Sequence, residues 1–99
     1  MNEFDWVTKR RRQLRYRANH RGIKEMDIIL GGFANGFIEN LSVDELDILE
    51  NLMEQNDRDL LQWFTGELNT PQEFDTDLFV RISNFARSRI ADKNSGLAS

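Results

Sequence analysis

The chain contains no cysteine, one proline and one histidine in 99 residues. The missing cysteines exclude disulfides, thiolate chemistry and cysteine-ligated metals, and nothing points to an oxidising compartment. His20 alone cannot build a metal site, because no Glu-x-x-His spacing supplies further ligands. A catalytic dyad or triad built on it has no support either. No apolar run approaches the ~20 residues that span a bilayer. The N-terminus lacks a signal-peptide core, and Glu3 and Asp5 argue against a mitochondrial presequence. No glycine-rich loop follows a strand pattern, since Gly31-Gly32 lies within a helical one, so the dinucleotide fingerprint is absent. Strand-like alternation, internal repeats and low-complexity linkers are also missing.

The residues present suit one small domain over positions 1–99, with an ordered core at about 5–90 and a small polar tail, 91–99, that frays. Such a chain can bury one hydrophobic core but no second lobe. The apolar share of 39% fits a globule, and the charged share of 30% fits a hydrated surface. The net charge of -4 conceals a dipole. Residues 1–25 carry eight Lys/Arg against three Asp/Glu, and residues 26–99 carry five against fourteen. This asymmetry steers association over about one Debye length. The basic stretch Lys9 to Arg17 has three readings: a nucleic-acid surface, a solvated helix end, or a charged rim that docks an acidic protein surface. The rim is preferred, because the basic residues form no stripe and the rest of the domain is acidic.

Five amphipathic segments predict an all-α fold, a compact five-helix bundle. The first helix runs from about Asp5 to His20. Phe4, Val7, Leu14 and Ala18 form its apolar stripe, the stem of Arg11 fills the same stripe, and Trp6 lies beside it. The second runs from about Lys24 to Ile38, with Met26, Leu30, Phe33 and Phe37 on one side and Ile29 and Ala34 widening it. Gly31, Gly32 and Gly36 each cost about 1 kcal/mol against Ala in an isolated helix. Close helix packing is the expected compensation, which makes this the central helix. Ser42 and Glu45 form a capping box for the third helix, with Leu41 and Leu46 at its staple positions. Leu46, Leu49, Leu52 and Met53 face the core, while the acidic run Asp44 to Asp59 faces water. Asn56 or Asp57 caps the fourth helix, Trp63-Phe64 belongs to the core, and Gly66 ends the helix. Thr70-Pro71-Gln72-Glu73 reads as a second capping box. It opens a fifth helix with Phe74, Leu78, Ile82, Phe85 and Ile90 on one side, and with Arg87 and Arg89 in its last turns.

The junction His20-Arg21-Gly22-Ile23-Lys24-Glu25-Met26-Asp27 admits two readings. As a plain connection, Gly22 turns the chain in the left-handed conformation, Arg21 satisfies a helix end and Glu25 suits a helix start. As a recognition corner, it exploits the missing Ser, Thr, Asp or Asn cap of the second helix. Exposed Arg21, flexible Gly22 and exposed Glu25 then form a polar wedge. Arg21 forks onto a carboxylate or carbonyls, and Glu25 accepts from Arg or backbone N–H groups.

Arg21-Gly22-Ile23-Lys24-Glu25 resembles the RGxxE motif of the small succinate dehydrogenase assembly factors, the flavinylation factors of bacteria and mitochondria. The surroundings are similar too. Basic residues and Tyr16 precede the motif, and Glu25-Met26-Asp27-Ile28-Ile29-Leu30 leads into an apolar helix. Leu41-Ser42-Val43-Asp44-Glu45-Leu46 and Asn56-Asp57-Arg58-Asp59-Leu60-Leu61-Gln62-Trp63 look like the family's later helices. The chain departs at Asn19-His20, where many relatives carry an aromatic residue. The resemblance implies a non-enzymatic assembly factor that binds the flavoprotein subunit of succinate dehydrogenase, with fumarate reductase as a second candidate. It implies that the factor promotes covalent attachment of FAD to a histidine of that subunit and holds no cofactor stably itself. Arg21, Gly22 and Glu25 are the implied partner-binding residues, flanked by Arg17, His20, Lys24 and Asp27. The expectation is a monomer in the bacterial cytoplasm, without membrane insertion or a nucleic-acid partner. The alternatives are another interaction module (a regulator of membrane or cytoskeletal proteins, or an antitoxin-like module) and, behind it, a nucleic-acid binder.

Overall fold

The computed structural model describes the backbone of residues 3–98 and the side chains of residues 5–89. The helices are α1 (Glu3–Ala18), α2 (residues 24–37), α3 (Val43–Met53), α4 (Asp57–Thr65) and α5 (Asp77–Ala98). No strand occurs among the described residues. The expected core positions of Phe4 and Ile90 lie outside the described side chains, and the backbone of the tail expected to fray is helical as far as Ala98.

Helix α2 is the central element, with α1, α4 and α5 packed against it. Its glycines explain how. A β-carbon on Gly31 would stand 2.6 Å from Asn19 Oδ1 and 3.3 Å from the Ala18 carbonyl, so the end of α1 lies directly on this backbone. One on Gly32 would meet the Phe85 ring of α5 at 3.0 Å. Gly36 differs, because a β-carbon there meets nothing within 4 Å. Two of the three glycines therefore serve close packing, and the third does not.

Helix α2 is continuous but not uniform. An α-turn over Lys24–Met26 passes into a π-turn over Asp27–Gly31, then into α-helix over Gly32–Phe37, and a 3₁₀ turn over Ile38–Asn40 closes it. A π-turn takes one extra residue and shifts the following side chains around the axis. Met26, Ile29, Leu30, Phe33 and Ala34 are buried as their spacing requires, but Ile38 is fully buried where Phe37 was expected. Phe37 stays 40% exposed.

The other helices follow their patterns more closely. Val7, Leu14 and Ala18 of α1 are buried, and so are Leu46, Leu49, Leu52 and Met53 of α3. The capping box is present: Ser42 accepts the Glu45 N–H, and the Glu45 side chain accepts the Ser42 N–H. The Asn56 side chain caps α4, and Gly66, at φ 81°, ends it in the left-handed conformation. Phe64 is fully buried, and Trp63 stacks on Phe74 at 5.3 Å between ring centroids. Burying a side chain of this size contributes about 1.5–3 kcal/mol.

The start of α5 corrects the sequence reading. Thr70-Pro71-Gln72-Glu73 opens only a 3₁₀ turn over Gln72–Phe74, and Pro71 makes no side-chain cap. The helix begins at Asp77, and the Thr76 hydroxyl accepts the Phe79 N–H at 3.1 Å. The stack on Trp63 anchors Phe74 outside the helix, so the chain must turn again before α5 can begin. Arg87 and Arg89 lie mid-helix rather than in its last turns, because α5 continues to Ala98.

Candidate functional site

Helix α1 ends by a route the sequence did not show. The Arg15 carbonyl accepts from the Asn19 side chain at 2.8 Å, and the Tyr16 carbonyl pairs with His20 Nδ1 at 2.7 Å. Two side chains thus satisfy carbonyls that a left-handed glycine otherwise frees for capping. Gly22 accordingly has a negative φ, and Gly66 is the only glycine with a positive one among the described residues. A carbonyl can only accept, so His20 Nδ1 is the donor in this contact. The His20 ring also stacks on Tyr16 at 4.0 Å, and both are exposed. An open groove of about 490 Å³ runs beside Tyr16, lined by Arg12, Gln13, Arg17 and Glu50 among others.

Arg21 is not the exposed wedge expected of it. Its side chain is 12% exposed and faces inward. Nε and Nη2 donate to Asp57 Oδ1 at 2.8 and 2.5 Å, Nη1 donates to the Met53 carbonyl at 2.7 Å, and Nη2 reaches the Gln55 carbonyl at 3.4 Å. The fork does seek a carboxylate and carbonyls, but they belong to this chain. The backbone is held as well: the Arg21 N–H donates to Asp27 Oδ1 at 2.5 Å, and the Gly22 N–H to Asp57 Oδ2 at 3.1 Å. For Arg21 the plain reading, a group that satisfies a helix end, is therefore the observed one.

The other site candidates divide in two. Lys24 and Glu25, in the first turn of α2, are exposed and make no side-chain hydrogen bond or ion pair among the described residues. His20 and Gly22 are exposed beside them. Asp27 and Arg17 instead serve the fold, Asp27 through the Arg21 N–H and Arg17 through Glu50 at 3.1 Å. The structure thus gathers Gly22, Lys24, Glu25 and His20 on the outside and sets Arg21 and Asp27 behind them. Asp57 is the residue that sequence reasoning missed. It was read only as a helix cap, and no local signal ties it to a motif 35 residues earlier.

The basic stretch is largely spent within the molecule. Arg10 pairs with Asp47 and Glu50, Arg15 with Glu39 and Arg17 with Glu50, and Arg11 donates to the Leu41 carbonyl. Burial opposes the Arg10 charge, but hydrogen bonds and charge from Asp47 and Glu50 outweigh it and hold its pKa above the ordinary value. This corrects two expectations: Asp47 and Glu50 are not merely a solvated face, and the basic rim is mostly neutralised. Among the described residues no group of three or more His, Asp or Glu side chains is placed to hold a metal. No helix among them is long and apolar enough to cross a membrane.

The comparisons with known proteins agree with the family resemblance. The family described as flavinator of succinate dehydrogenase matches residues 12–86. The chain is 39% identical over 85 residues to the FAD assembly factor SdhE of Acetobacter pasteurianus, covering 86% of this chain and 78% of that protein. It is 30% identical over 87 residues to the mitochondrial succinate dehydrogenase assembly factor 2 of Dictyostelium discoideum, covering 88% and 62%. The corresponding protein of Schizosaccharomyces japonicus is 34% identical over 84 residues, covering 85% and 57%. The chain thus spans less than two thirds of the length of these two mitochondrial relatives. By the extent of these matches, the chain belongs to the flavinator of succinate dehydrogenase family.

Proposed function

We propose that this chain is an assembly factor, not an enzyme, which binds the flavoprotein subunit of succinate dehydrogenase and promotes covalent attachment of FAD to it. Fumarate reductase is its second candidate client, and the bacterial cytoplasm its place of action. The observation that carries the reading is Gly22. Its φ is ordinary, and a β-carbon there would meet nothing nearer than Asp57 Oδ2 at 3.8 Å. The fold therefore leaves room for a side chain at this position. The exposed backbone at Gly22 lies open to close approach by a client surface. Lys24 and Glu25 flank that point, free to pair with a polar client surface.

The small bundle contributes by positioning. The bond-forming groups, a histidine and the flavin, belong to the client. Holding client segments so that these two stay in attack geometry raises their effective molarity, and this can supply several kcal/mol of the barrier. This chain binds no cofactor stably in this reading, acts as a monomer, and leaves before the mature enzyme assembles, so the contact is modest and polar.

The test is in-gel flavin fluorescence of the denatured flavoprotein subunit, from cells lacking this protein and complemented with variants. Wild type restores the band. Gly22→Ala and Glu25→Ala keep the wild-type melting temperature but fail to restore it. A band of unchanged intensity in cells lacking the protein removes flavin attachment as its necessary role.

A further inference from the structure

We infer that Asp57 is a positioning residue for the Gly22–Glu25 face, and that Arg21 serves this face from within the fold instead of touching the client; the inference rests on the client-binding reading above. Asp57 is the first residue of α4, and its side chain is 17% exposed. One carboxylate oxygen takes Arg21 Nε and Nη2, and the other takes the Gly22 N–H. Arg21 commits four of its five guanidinium N–H donors inside the molecule, two to Asp57 and two to the carbonyls of Met53 and Gln55. The same two carbonyls lie at the end of α3 and in the turn after it, so Arg21 also closes that helix.

The start of α2 needs this clamp. Its N-cap position is Ile23, which supplies no side-chain cap, so the usual Ser, Thr, Asp or Asn anchor is missing. Asp57 on one side and Asp27 on the other hold the N–H groups of residues 21 and 22 instead. The turn that follows carries Lys24 and Glu25 outward, so their direction depends on where the clamp sets residues 21–23. A lysine at position 21 keeps the charge but not the planar fork, and cannot bridge one carboxylate and two carbonyls in the same way. A simple charge contact with a client would tolerate that exchange far better.

The experiment uses the full chain and the purified flavoprotein subunit of succinate dehydrogenase. Asp57→Asn is expected to speed amide exchange at Arg21 and Gly22 at least about tenfold while core amides of α3 stay protected. It is expected to weaken the client Kd about tenfold. Arg58→Ala, its exposed neighbour, keeps wild-type values. In a cycle of Arg21→Ala, Asp57→Ala and the double variant, the double binds no worse than the weaker single, because both act through one clamp. If Arg21→Ala does not fold, Arg21→Lys takes its place. Wild-type exchange rates in Asp57→Asn overturn the inference. So do losses that add in the double variant, because they put Arg21 on the client independently of Asp57. A wild-type chain that does not bind the subunit defeats the proposed function, and the clamp is then decided by the exchange rates alone.

Discussion

Asn19 stands against Gly31 so closely that a β-carbon there would come within 2.6 Å of its side-chain oxygen. The same amide donates to the Arg15 carbonyl and exchanges hydrogen bonds with Asn35. Gly31→Ala must therefore displace Asn19, open the end of α1 and disturb the approach to the motif. Helix propensity gains about 1 kcal/mol from the change, and overpacking costs about 1–3 kcal/mol. The expected net is a loss of about 1 kcal/mol, a fall of about 4–8 °C in melting temperature for a domain of this size. Gly36→Ala meets open space and should stabilise by about 0.5–1 kcal/mol. Thermal melts of both variants decide, and equal shifts for the two would refute this account of the glycines.

The two threonines before α5 give a second contrast. Thr76 caps the helix through the Phe79 N–H, whereas Thr70 precedes only the 3₁₀ turn. Replacing an N-cap hydroxyl by alanine costs about 1 kcal/mol. Thr76→Ala should lower the urea midpoint accordingly, and Thr70→Ala should leave it within error. The reverse order would restore Thr70-Pro71 as the helix start.

That contrast also marks what the sequence could reveal. Ser42 with Glu45, Asn56 and Gly66 were legible because a cap is complete within a few residues. Gly31 and Gly32 were legible because glycine inside a helix needs a packing reason. Thr70-Pro71-Gln72-Glu73 misled because a 3₁₀ turn satisfies the same local pattern, and the deciding contact, Phe74 on Trp63, is tertiary. Ile38 is buried in place of Phe37 where the α-helix gives way to a 3₁₀ turn, a change of winding that ordinary helical spacing cannot anticipate. Within residues 21–25 the exposure of Glu25 was legible, but the inward turn of Arg21 was not. The carboxylate that turns Arg21 inward lies 36 residues away, and nothing near the motif announces it.

The α3 capping box makes stability depend on pH. The Ser42 N–H, donating to the Glu45 carboxylate, holds its pKa below the ordinary glutamate value; burial opposes this and Arg81 reinforces it. A carboxyl whose folded pKa is depressed stabilises the fold above its unfolded pKa, and that stabilisation is lost as pH falls through the folded value. The loss should therefore appear below about pH 4.3. Glu45→Gln should be less stable than wild type at neutral pH and should converge with it on acidification. A gap that stays constant from pH 7 to pH 3 would show that the Glu45 charge adds nothing to the cap.

The ion pairs of α1 set the last expectation. Arg10 is held by Asp47 and Glu50 with its side chain only 13% exposed, and Glu50 also holds Arg17. Glu50→Ala removes a partner from both and should cost about 1 kcal/mol, because Arg10 keeps Asp47. Asp47→Ala, at a side chain 61% exposed, should cost less. Lys9, Arg11 and Arg12 are the basic residues of this stretch that make no ion pair among the described residues, and Arg11 is held by the Leu41 carbonyl, which leaves too few for a phosphate-binding track. RNA association at physiological salt should accordingly be undetectable, and the wild-type chain should show no steep dependence of log K on log salt. A steep slope, removed by replacing Lys9 and Arg12, would mean that the internal pairs open in solution and that α1 binds nucleic acid after all.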